Sequence, residues 1–119
     1  MVAKIFAATC FIAAGCTAAA ASDLSGLYTV DDTFADGRTS NSNRAAIKMT
    51  SENTCDITYS DDTKGVCMLD GTTLSCGLTQ KYGSPQVAVY QVAPDGSIEG
   101  VFFDNNGKGF NHEKLTPVR

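Results

Sequence analysis

One histidine, His112, limits what chemistry this chain can perform. Nucleophilic catalysis by a Ser or Cys needs a base held in place by a third group, so every such scheme here must run through His112. No nucleophile-elbow glycine pattern surrounds any serine. His112-Glu113 lacks the second histidine that a zinc-binding His-Glu-x-x-His helix requires. Neighbouring strand residues also point to opposite faces, so His112 and Glu113 form no dyad, and His112 reads as a solvated strand residue. Asp104-Asn105-Asn106-Gly107-Lys108-Gly109 begins like a calcium loop, but Lys108 stands at the fifth position and Leu115 at the twelfth, where a bidentate Glu belongs. Paired carboxylates alone can run glycoside hydrolysis, yet nothing in the spacing brings two acids together, and Asp31-Asp32 and Asp61-Asp62 read as solvated turn carboxylates. The expectation is no catalytic residue, no metal and no cofactor.

The elements that would carry these residues are strands. After residue 22 the apolar spacing follows period two, broken by turn chemistry. Gly26 to Val30, Ala45 to Thr50, Thr54 to Tyr59, Val66 to Leu69 and Leu74 to Leu78 read as strands, with Asp31 to Asn43 as a polar connection. Pro94-Asp95-Gly96 is a hairpin loop: Pro sets φ, Asp suits the second position, and Gly takes the left-handed one. That loop sets Val92 opposite Ile98, Tyr90 opposite Gly100 and Ala88 opposite Phe102, where the Tyr90 ring covers a strand glycine. Asn106-Gly107 is a further turn signal that brings Phe103 beside Phe110 and Glu99 beside Lys114. The fold class is all-β: about eight short antiparallel strands in a meander, a small up-and-down barrel or curled sandwich.

The ends point to export. Lys4 precedes an uncharged apolar run, Ile5 to Ala14, and Ala19-Ala20-Ala21 offers small residues for a signal peptidase. The division is therefore 1–21 as signal peptide and 22–119 as a single β domain, periplasmic or extracellular. The alternative is a lipoprotein: Ile12-Ala13-Ala14-Gly15-Cys16 matches a lipobox in part and would anchor the chain at Cys16. Losing Lys4 moves the net charge from −4 to −5. With no basic cluster, the chain repels phosphate backbones, and no second apolar run can span a membrane, so neither nucleic acid nor a bilayer span is expected.

Cys55, Cys67 and Cys76 remain after cleavage, and an oxidising compartment pairs two of them. A loop at Ser60-Asp61-Asp62 sets Cys55 opposite Cys67; a loop of Asp70 to Thr73 equally sets Cys67 opposite Cys76. The residues alone leave both pairings open.

Cys55-Asp56-Ile57-Thr58-Tyr59, Gly65-Val66-Cys67-Met68, Val89-Tyr90 before Asp95-Gly96-Ser97-Ile98-Glu99-Gly100, and Gly109 with Glu113-Lys114-Leu115-Thr116-Pro117 form one ordered pattern. It resembles small exported bacterial β-rich proteins of unknown function, some labelled "fibronectin-binding protein". Tyr59 and Phe102 stand where that pattern commonly has Trp. The resemblance implies a Cys55–Cys67 disulfide with Cys76 unpaired. It also implies a non-catalytic binding or adhesion domain with a protein partner, from host matrix or envelope. The alternatives are an inhibitor of a hydrolase, inserting the Asp31 to Asn43 segment, and a small-ligand carrier with Tyr28 and Tyr90 at the barrel mouth. The hairpin register also gathers Val87, Val89, Val101, Phe103 and Phe110 on the face opposite the core, a candidate partner surface.

Overall fold

The computed structural model describes residues 23–104 and 109–119; the segment expected to be a signal peptide, Cys16 and the Asn106-Gly107 turn lie outside the described residues. Period-two alternation yields nine strands: β1 (Gly26–Thr33), β2 (Thr39–Ser40), β3 (Arg44–Met49), β4 (Thr54–Tyr59), β5 (Lys64–Asp70), β6 (Thr73–Thr79), β7 (Pro85–Val92), β8 (Ile98–Asp104) and β9 (Asn111–Pro117). Among the described residues there is no helix. β1 pairs with β3, each strand from β3 to β9 pairs antiparallel with the next, and β9 returns to β1. The meander therefore closes into an eight-stranded barrel, with β2 as a two-residue addition to the end of β1.

The β7–β8 register is the one the Pro94-Asp95-Gly96 loop implies: Val92 faces Ile98, Tyr90 faces Gly100, and Ala88 faces Phe102. Glu99 faces Lys114 across β8 and β9. Four loops share one construction. The amides of Phe34, Tyr59, Gln80 and Ala93 each donate to the carbonyl four residues on, and the residue before that carbonyl donates back. This three-residue hairpin needs a left-handed residue at its last position. Glycine supplies it at 37, 83 and 96, and Asp62 adopts it in the fourth loop with φ of 72°.

The polar connection expected from Asp31 to Asn43 is shorter than its composition suggests. Asp31, Asp32 and Thr33 continue β1 and pair with Lys114, Glu113 and His112 of β9. Barrel closure recruits them: the β9 edge would otherwise leave its backbone groups unpaired. Asp32 consequently faces inward and is buried, which corrects its reading as a solvated turn carboxylate.

The interior divides in two. At the end where the chain enters the barrel, Val30, Ile47, Ile57, Leu74, Ile98 and Leu115 fill the space. Leu24 is buried there as well, and the Tyr28 hydroxyl donates to its carbonyl at 2.6 Å. The three cysteines sit in one inward row, with Cys55 opposite Cys67 and Cys67 opposite Cys76. The disulfide joins Cys55 to Cys67, whose Cα atoms are 5.0 Å apart, and Cys76 is free and buried.

Two inward glycines permit the curvature. A Cβ at Gly65 would collide with the Gly77 carbonyl, and one at Gly100 with the Val89 carbonyl and the Tyr90 Cα. Side-chain-free positions of this kind let a strand bend at a barrel corner. Gly100→Ala should therefore destabilise the domain by about 1–3 kcal/mol, the usual cost of overpacking. Urea denaturation reads this as a lower midpoint; an unchanged midpoint would contradict the close approach of β7 and β8.

Candidate functional site

The other end of the barrel interior is polar. Inward positions there belong to Asp32 of β1, Gln86 of β7, and Asn111 and Glu113 of β9, all buried. Each keeps the period of its strand: Asp32 follows Tyr28 and Val30, and Glu113 precedes Leu115. Polar residues thus occupy core-facing positions with no shift of register. Two tyrosines complete the set. The β4–β5 hairpin carries Tyr59 inward at the end of β4, and β7 carries Tyr90 inward opposite Gly100.

These side chains converge on one carboxyl group. The Tyr59 and Tyr90 hydroxyls donate to Glu113 Oε1 at 2.7 and 2.6 Å, and the two hydroxyl oxygens lie 3.2 Å apart. Asp32, directly across the β1–β9 ladder, hydrogen-bonds to the Glu113 side chain. Burial, that hydrogen bond and the negative charge of Glu113 raise the Asp32 carboxyl to about 8, so at neutral pH Asp32 carries a proton. Asp32 Oδ1 accepts no hydrogen bond although Asp32 is only 8% exposed. An unsatisfied buried oxygen of this kind costs about 1–3 kcal/mol. Burial also raises both tyrosine hydroxyls above their ordinary range, keeping them as donors. Cys76 is pushed up to about 12 by burial and the nearby Glu113 charge, which holds it as an unreactive thiol.

Above these groups lies a cavity of about 210 Å³. Asp32, Tyr59, Gln86, Tyr90 and Glu113 line it with Phe34, Leu78 and Phe102, and Asn43, Asp61, Thr63 and Gln80 complete its wall. The β1–β2 turn sets Phe34 edge-on to Phe102, centroids 6.3 Å apart, and the Arg38 guanidinium lies 4.9 Å from the centre of the Phe34 ring. Asn111 Oδ1 accepts from the Ala35 amide and ties that turn to β9. No histidine, cysteine or serine lines the cavity among the described residues, and no group of three potential metal ligands occurs among them.

Of the two tyrosines expected at a barrel mouth, Tyr90 lines the cavity and Tyr28 lies outside it, turned towards the opposite end. Val87, Val89, Phe103 and Phe110 are exposed on the outer surface and Val101 is half-buried. Val66 and Met68, also exposed, extend this face across β6, because Val66 aligns with Gly77 and Val87, and Met68 with Ser75 and Val89. His112 is exposed on the outside, back to back with Glu113. Asp32, Tyr59, Gln86 and Glu113 are not among the site residues expected from the sequence. A signal for Glu113 was present: the Glu99–Lys114 register sets it opposite Gly100, hence beside Tyr90.

No family model matches the chain, and no curated protein matches it. Solved structures do. A redesigned β barrel is similar with a TM-score of 0.69 at 18% identity, over 81% of this chain and 92% of that one. The redesigned barrel mFAP1, bound to DFHBI, gives 0.66 at 22% identity, over 78% and 94%. A de novo designed fluorescence-activating barrel gives 0.62 at 15% identity, over 79% and 93%. At these identities the likeness is one of fold, the closed antiparallel barrel.

The raised Asp32 carboxyl ties stability to pH. Between the ordinary carboxylate value of about 4 and about 8, the folded protein holds a proton that the unfolded chain has released. The stabilisation is complete below the unfolded value and is lost as pH rises through the folded one. Thermal unfolding followed from pH 5 to 8.5 should show a Tm that falls with rising pH, and Asp32→Asn should flatten that fall and raise Tm at pH 8. A wild-type Tm that rises over this window would contradict the assignment.

Proposed function

We propose that this chain is an exported, non-catalytic binding protein whose barrel takes a small ligand at its polar end. The observation that carries the reading is the buried Oδ1 of Asp32, which accepts no hydrogen bond, on the wall of a cavity of about 210 Å³. An eight-stranded barrel is just wide enough for side chains to fill. Here they fill one half, and the other half keeps polar groups that lower stability, a trade that binding sites make. A redesigned barrel of similar fold, mFAP1, is bound to the small molecule DFHBI in its structure. The Cys55–Cys67 disulfide fits an oxidising compartment, and with the signal-like N-terminus it supports a periplasmic or extracellular location. No Ser, Cys or His lines the cavity among the described residues, which leaves a Ser–His or Cys–His scheme without its parts there. The fold does bring two acids together, Asp32 and Glu113, that their spacing in the sequence did not.

A second reading, adhesion to a host-matrix or envelope protein, is favoured by the outer apolar face of Val66, Met68, Val87, Val89 and Phe103. A hydrolase inhibitor has less support, since the segment from Asp31 to Asn43 is largely strand and tight turn.

Amide NMR spectra of the exported protein, recorded with a panel of small aromatic compounds, separate these readings. Saturable shifts on Asp32, Tyr59, Gln86, Tyr90 and Glu113 are expected. Shifts confined to Val87, Val89 and Phe103 would favour the outer face, and a panel that moves neither would overturn the cavity reading.

A further inference from the structure

We infer that the ligand is a small organic cation, an ammonium or amidinium group on a body about the size of one aromatic ring, seated against Asp32 and Glu113. This deepens the cavity reading above and rests on it. The first ground is the inventory of donors and acceptors. The Tyr59 and Tyr90 hydroxyl protons are both committed to Glu113 Oε1, so neither is offered to a ligand. The charge-bearing groups that face the cavity are all acidic, the carboxyls of Asp32, Glu113 and Asp61, with Asn43, Gln80, Gln86 and Thr63 as mixed donor–acceptor groups. No Lys, Arg or His lines it among the described residues. An anionic ligand would meet three acidic side chains and no counter-charge. A neutral hydroxyl would satisfy Asp32 Oδ1 and leave the charge uncompensated.

The second ground is the state of one oxygen of that group. Asp32 Oδ1 is a buried oxygen that accepts no hydrogen bond, on a side chain more than nine-tenths buried and on the cavity wall. A cationic N–H donor supplies the missing hydrogen bond in its strongest, charge-assisted form. It also takes the place of the proton that Asp32 holds against Glu113, and that proton leaves to solvent as the ligand enters. The rings of Phe34, Phe102, Tyr59 and Tyr90 around the same space suit a cation, whose attraction to aromatic faces adds to the ion pair.

Size sets the body. A cavity of about 150 Å³ holds benzene, and this one, at about 210 Å³, accommodates such a ring with a compact head group. It falls below the range of about 300 Å³ and upward typical of drug-sized ligands.

Three probes of equal size and different charge test the inference: benzylammonium, benzyl alcohol and benzoate, titrated into the exported protein and followed by amide NMR and calorimetry. Benzylammonium should bind about tenfold or more tightly than benzyl alcohol, and benzoate should not bind measurably. Asp32→Asn should remove most of the preference for benzylammonium over benzyl alcohol. Charged and titratable groups around Asp32 are Asp31 beside it on β1, Glu113 on β9, Asp61 in the β4–β5 loop, and the Tyr59 and Tyr90 hydroxyls; Ser40 of β2 adds none. Raising pH from 6 to 8.5 should tighten benzylammonium and leave benzyl alcohol unchanged, with close to one proton released per cation at pH 7 in calorimetry. If benzyl alcohol or benzoate binds the same residues as tightly as benzylammonium, the cavity reading stands and the cation inference falls. If none of the three shifts Asp32, Tyr59 or Tyr90, both fall.

Discussion

The structure turns on a carboxyl group, Glu113, buried inside a barrel wall and held by two tyrosine hydroxyls. Taking a carboxylate out of water costs several kcal/mol unless hydrogen bonds replace its hydration. Here the replacements come from β4 and β7, while the facing Asp32 comes from β1. Four strands distant in sequence must therefore be in register at once. A slip of one residue in β9 would turn Glu113 outward and His112 inward, and would strand both hydroxyls in the core. The β1–β9 closure and the Tyr90–Gly100 pairing are the two contacts that hold this geometry, since Gly100 lets Tyr90 lie close enough to reach across to β9.

The barrel interior divides along its axis into an apolar half and a polar one. The half nearest Leu24 is packed with aliphatic side chains and holds the Cys55–Cys67 bridge, which closes a short loop and stabilises the fold by about 3 kcal/mol in a chain-entropy picture. The opposite half accepts a cavity and an unpaired oxygen. A domain of this size has a narrow margin, so the sealed half offsets what the polar half forgoes. Cys76 belongs to the stabilising side: it faces Cys67 across the ladder as a buried thiol and is no reactive site.

Local chemistry was legible in the sequence and closure was not. Pro94-Asp95-Gly96 specified the β7–β8 pairing residue by residue, because a three-residue loop with a left-handed glycine admits one register. The cysteines show the limit of such arithmetic, since both candidate pairs are directly opposed in the folded chain and only one is bonded. Asp31-Asp32 was misread because acidic residues near a strand end look like turn residues, and the partner that keeps them in a strand lies at the far end of the chain. Val66 and Met68 escaped notice as part of the outer face because Gly77 and Ser75 separate them from Val87 and Val89. The cavity itself had no signature, being defined by what eight strands leave unfilled.

The claim that a shared proton sits at the head of the cavity can be measured on the carboxyl carbons themselves. Carbon-13 NMR of the side-chain carboxyls, assigned by Asp32→Asn and titrated from pH 3 to 9.5, should show the Asp32 resonance moving with a midpoint near 8. Its movement should be sensed at Glu113, the group it faces. An Asp32 carboxyl that titrates in the ordinary range near 4, with no response at Glu113, would contradict the account.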